Sequence, residues 1–136
     1  MRSEPDEWLI MWAGSEVAEV REYDGGVLLR LAVAALQPEM SPRWGRDPSR
    51  RFITGVEVWC VQSRAASLDP AAFGALADGT LMVAGRSILS IPVPWHTDEP
   101  VHLALRFAQG AELVVHGQGL RVQLSSDSRC VEHLSC

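Results

Sequence analysis

His102 and His116 are the first residues whose placement points to chemistry. The chain between them alternates apolar and polar residues on either side of an Ala108-Gln109-Gly110 break. A three-residue hairpin loop with Gly110 in the left-handed conformation sets Phe107 against Ala111, Leu105 against Leu113 and Leu103 against Val115. The same register sets His102 against His116 and Arg106 against Glu112 on the outer side. Opposed residues of an antiparallel pair have Cβ atoms roughly 4.5–5.5 Å apart, so two imidazoles could share Zn²⁺ or a similar divalent ion. Two ligands do not close a site. A third would come from His96, from His133 or from a second subunit. The plainer account is a pair of polar residues on a solvent face, so the spacing allows a divalent metal without demanding one.

A second cluster is Arg43, Arg46, Arg50 and Arg51 around Trp44. Guanidinium forks recognise phosphate and carboxylate, so such a loop could clamp an anionic small molecule or an acidic protein partner. Asp47 offsets part of that charge, and all twelve basic residues of this chain are arginine, which makes clustering easy. A solvated or subunit-contacting loop accounts for the same residues. Five tryptophans against one tyrosine could line a pocket for a flat or sugar-like ligand, or fill a core or dimer interface. Cys60, Cys130 and Cys136 form no Cys-x-x-Cys pair, and Cys60 sits in a strand-like run that suits a core position. No Gly-rich phosphate loop, Gly-x-Ser-x-Gly elbow or His-Glu-x-x-His helix occurs. The His-x-His-then-Glu pattern of cupins is missing, since Thr97-Asp98-Glu99 follows His96, and so is the Gly-x-Trp of lipocalins. No catalytic or cofactor-binding residue is nominated.

The elements that must hold these residues read as strands. Ser3 to Glu7 offers a cap, a proline and first-turn acids, and Trp8 and Trp12 follow four apart, which predicts a short N-terminal helix over 4–13. From Glu16 the period is two, and Asp24-Gly25 predicts a hairpin pairing Glu19 with Arg30 and Val20 with Leu29. Leu28 to Leu36 is apolar on all sides and rich in the helix formers Leu and Ala, so a helix is the alternative, but the hairpin before it and Pro38 after it favour a buried strand. A long Arg/Pro-rich loop spans 38–51. Phe52 to Gln62 resumes as a strand. Ser67 to Phe73 looks like one helical turn, and Asp78-Gly79 opens a further hairpin. A Gly85-Arg86 turn would pair Val83 with Ile88 and Met82 with Leu89. A Gly117-Gln118 turn would add Leu120 to Leu124 beside Leu113 and Val115, and Arg129 to Leu134 supplies a last strand. The expected fold is a single all-β domain over 1–136 of about nine strands, an antiparallel β-sandwich or an up-and-down β-barrel.

Composition narrows the role. A net charge of −5 argues against a nucleic-acid partner, because phosphate binding needs a positive surface. Sparse, odd-numbered cysteines suggest a reducing compartment, and Met1 to Glu7 lacks the apolar core of a signal peptide. No apolar run approaches the roughly 18 residues of a membrane span. Arginine as the only basic residue fits a GC-rich bacterial genome. The expectation is a bacterial, cytoplasmic, non-enzymatic binding or interaction module acting as a homo-oligomer, a homodimer first. The alternative is a small-ligand-binding or metal-dependent β-barrel protein using His102 and His116 or the arginine loop.

Overall fold

A computed structural model of the chain describes residues 8–36, 51–68, 72–125 and 130–132. These residues are all-β and antiparallel, with thirteen strands. The first half holds β1 (Trp8–Tyr23), β2 (Gly26–Leu36), β3 (Arg51–Ile53), β4 (Val56–Cys60), β5 (Arg64–Leu68) and β6 (Gly74–Val83). There follow β7 (Arg86–Ile88), β8 (Ile91–Val93), β9 (Trp95–Thr97), β10 (Val101–Phe107), β11 (Glu112–Gly117), β12 (Leu120–Leu124) and β13 (Cys130–Glu132). The strands run in the order β5-β11-β10-β6-β1-β2-β4-β12-β9, with β7 on β6, β8 on β1, and β3 joining β2 to β13. The path is open, ending at β5 and β9, and its neighbours are often distant in sequence. That order is not the sequential one of an up-and-down meander.

Local turn chemistry sets two hairpins in the expected register. Asp24 and Gly25 take φ of 50° and 76°, the left-handed pair a two-residue turn needs, and Glu19 faces Arg30 while Val20 faces Leu29. Gly110 has φ of 103°, and Phe107 and Ala111 close the three-residue loop through an amide–carbonyl bond of 2.8 Å. Leu105 then faces Leu113, Leu103 faces Val115, His102 faces His116 and Arg106 faces Glu112. The Leu28 to Leu36 run is a strand, as expected, and it is central, lying between β1 and β4.

Strand β1 carries the long-range construction. Its start, Trp8 to Ile10, pairs with β8; Glu16 and Val17 pair with β6; and β2 runs along the other edge. The ladder with β2 breaks between Met11 and Glu16, where Gly14 takes φ of 90°. Ser15, buried to 1%, repairs the break. Its hydroxyl donates to the Met11 carbonyl at 2.6 Å and accepts the Ala35 amide at 2.9 Å. Because β1 changes partner there, one face of the curled sheet encloses one core. Ile10, Trp12 and Val17 of β1 meet Leu29 and Leu31 of β2, Val58 of β4, Leu81 of β6, Leu103 and Leu105 of β10, and Val122 of β12.

Several expectations are corrected. Trp8–Ala13, the described part of the expected N-terminal helix, is strand; residues 4–7 lie outside the described residues. A spacing of four is even, so Trp8 and Trp12 fit period two as well, and Ile10 and Trp12 are both buried while Leu9 is exposed. Ser67 and Leu68 are not helical but close β5, because β11 offers an edge on which Val114 meets Ser67 and Leu113 meets Leu68. Asp78 and Gly79 lie inside β6, held there by pairing with Arg106 and Leu105. The next turn is Ala84-Gly85 rather than Gly85-Arg86, so Val83 faces Arg86 and Leu81 faces Ile88. Both turn residues take positive φ, 51° and 83°, and the Ala84 amide is tied to the Pro100 carbonyl at 2.9 Å.

Gly117 does not turn β12 back onto β11. The chain crosses instead to β4 and β9, and Leu120 and Val122 join the same core. The crossing is stitched by Gln118 and Gly119 to the backbone of Val61, and a Cβ on Gly117 would lie 2.9 Å from the Ser63 Cβ. Glycine is required by that close approach. The Phe52 to Gln62 run divides at Gly55 into β3 and β4. The count rises from about nine to thirteen through strands of three residues such as β7, β8 and β9.

Candidate functional site

The outward face of β11, β10 and β6 is a small panel of three rows. Alternation turns Leu103, Leu105, Leu113, Val115 and Leu81 into the core, so the residues between them face out. Register then fixes who stands beside whom. His116, His102 and Met82 form the first row; Val114, Ala104 and Thr80 the second; Glu112, Arg106 and Asp78 the third. In backbone register, Arg64 of β5 pairs with His116 on the other side of β11.

The first row brings the two sequence-nominated histidines together. Their Nδ1 atoms are 3.1 Å apart, their ring centroids 4.3 Å apart, and the ring planes meet at 72°. The rings therefore meet edge on, and the contact needs one Nδ1 as donor and the other as acceptor. His102 is half-buried and His116 exposed. Beside them opens a concavity of about 490 Å³ lined also by Met82, Gly85, Pro100 and Val101. The third row is an exposed ion pair, with Arg106 Nη2 at 2.6 Å from Asp78 Oδ2. It borders a smaller hollow of about 270 Å³ that also touches Thr80, Ala104, Glu112 and Val114.

The remaining nominations do not join this panel. His96 stands on β9 opposite Arg121 and is not among the residues lining the histidine concavity. His133, Arg43, Arg46 and Arg50 lie outside the described residues, as does Trp44. Arg51 opens β3 opposite Glu132. Trp12 is in the core, Trp95 packs against it, and Trp59 stands between Leu28 and Arg121. Cys60 is fully buried, and that burial pushes its thiol up to about 12, which makes it a core residue rather than a nucleophile. Among the described residues no group of three or more His, Cys, Asp or Glu is gathered to hold a metal ion, and no helix is long and apolar enough to cross a membrane.

Sequence reasoning missed the third column of the panel. Met82, Thr80 and Asp78 join it through the β6–β10 pairing, which the misplaced turn at Asp78-Gly79 concealed. The signal was present in the alternation of Leu81 and Val83 with Thr80 and Met82. Fold and site together define an antiparallel all-β protein with a histidine pair on an outward sheet face. No protein-family model, no curated protein and no solved structure matches the chain.

Proposed function

We propose that the protein is a non-enzymatic interaction module that self-associates through the outward panel of β11, β10 and β6. The observation that carries this reading is the composition of the panel by rows. Val114 and Ala104 stand side by side and only half-buried at its centre, on a face where solvent-facing strands ordinarily carry polar residues. Beyond them, the cation of Arg106 stands between the anions Glu112 and Asp78. A face with both charges and an apolar middle can match a second copy of itself, as a two-fold contact requires. Leu89, 83% exposed just beyond β7, adds apolar surface beside the strand that pairs with β6.

Taken as a single domain, the sheet is read as a sandwich, its strand order ending at β5 and β9 around one hydrophobic cluster. Arginine as the sole basic residue and the unpaired cysteine count support a bacterial protein of the cytoplasm. Sedimentation equilibrium tests the reading. The protein as purified is expected to dimerise at micromolar concentration, and Val114→Glu, which buries a charge in the contact, to be monomeric with an unchanged circular-dichroism spectrum. A clean monomer for the unaltered chain sinks the reading.

A further inference from the structure

We infer that His102 and His116 are one half of a tetrahedral zinc site, completed by the same two residues of a second copy of this chain with the ion on the two-fold axis. This rests on the dimeric reading above and gives it a ligand. With metal–nitrogen bonds of about 2.0–2.1 Å, two nitrogens 3.1 Å apart subtend about 100° at a common ion, near a tetrahedral angle. The rings meet at 72° instead of stacking, and a small rotation of each about its Cβ–Cγ bond would turn the two Nδ1 lone pairs from each other toward a shared ion. For both to bind as neutral ligands, the hydrogen between them moves to an Nε2, so each ring keeps one hydrogen and none is released.

The described residues supply no third ligand, whereas structural zinc takes four. The missing two have a place to enter. The pair is open to solvent and borders the concavity of about 490 Å³, walled by Pro100, Val101, Gly85 and Met82.

A single symmetry operation matches two of the three columns of the panel. A two-fold axis lying in the contact plane along the seam between β10 and β11 exchanges those strands. It lays His102 over the second copy's His116, Ala104 over Val114, and Arg106 over Glu112, following the register within one copy. Four imidazoles then surround the axis at one row, apolar groups meet at the next, and opposite charges meet at the last. With each chain at −5, a divalent cation on the axis also offsets the repulsion between copies.

Zinc analysis with sedimentation tests the site on the full chain, after chelator treatment and after adding back one equivalent of zinc chloride. The expected result is half a zinc per chain and a dimer at least about tenfold tighter with zinc than without, by linkage. His116→Ala and His102→Ala should each lose both effects while keeping the weaker metal-free dimer. One zinc per chain on a monomer overturns the inference. A dimer whose dissociation constant ignores zinc also overturns it, yet leaves the contact face standing. A monomer under every condition sinks both the site and the dimeric reading.

Discussion

The hydroxyl of Ser15 accepts the amide of Ala35 across β1 and β2 at 2.9 Å, taking the place of a backbone carbonyl where the ladder breaks. It donates in turn to Met11 at 2.6 Å, so one buried oxygen satisfies two backbone groups. Ser15→Ala leaves both groups buried without that partner, at a cost of about 1–3 kcal/mol. Thermal unfolding followed by circular dichroism should show Tm lowered by roughly 3–5 °C per kcal/mol. An unchanged Tm would mean that water replaces the hydroxyl.

Gly79 lies beneath Trp12. A Cβ there would stand 2.6 Å from Leu105 Cδ2 and 2.8 Å from the Trp12 Cβ, and both side chains are fully packed in the core. Gly79→Ala should cost about 1–3 kcal/mol through overpacking. Denaturant midpoints measure it, and the shift should shrink in a Leu105→Ala background, where the approach to Leu105 is relieved and only that to Trp12 remains.

Ala84 is held at φ of 51° in the β6–β7 turn, a conformation that costs an L-residue roughly 1–2 kcal/mol. Ala84→Asn places the favoured Asn-Gly pair at this turn and should stabilise by about 0.5–1 kcal/mol. A calorimetric Tm a few degrees higher is the expected result, with no change in association.

Cys60 makes stability depend on alkaline pH. Burial raises its thiol from an ordinary 9.0 to about 12, so the folded state favours the protonated form. The stability contributed is complete below about pH 9 and is lost as pH rises toward about 12, by up to about 1.4 kcal/mol per pH unit. Other groups titrate there too, so the comparison is with Cys60→Ala. That variant should be less stable at pH 8 and lose less between pH 9 and pH 11 in urea unfolding. Parallel pH profiles would refute the assignment.

The hairpins were legible in the sequence because their cause is local. Asp24-Gly25 and the Ala108 to Gly110 loop each fix a register by turn geometry, and the His102–His116 contact follows from the second. What stayed hidden depends on distant partners. Nothing near Leu120 says that it pairs with Cys60 rather than with Val115; the crossing is decided by Gly117 and Gly119 meeting Val61 and Ser63. Ser67 becomes strand only because Val114 presents an edge to it. The candidate site divides the same way, with two of its three columns readable from one hairpin and the third supplied by a strand some twenty residues upstream.

The change of partner along β1 also bears on the moment of synthesis. Trp8 faces Val93, and Val17 faces Gly74, so the segment Leu9-Ile10-Met11-Trp12 leaves the ribosome long before its cover exists. At about 5–20 residues per second the wait lasts several seconds. Throughout that interval the nascent chain presents a bare apolar strand, a target for any holdase that samples the tunnel exit.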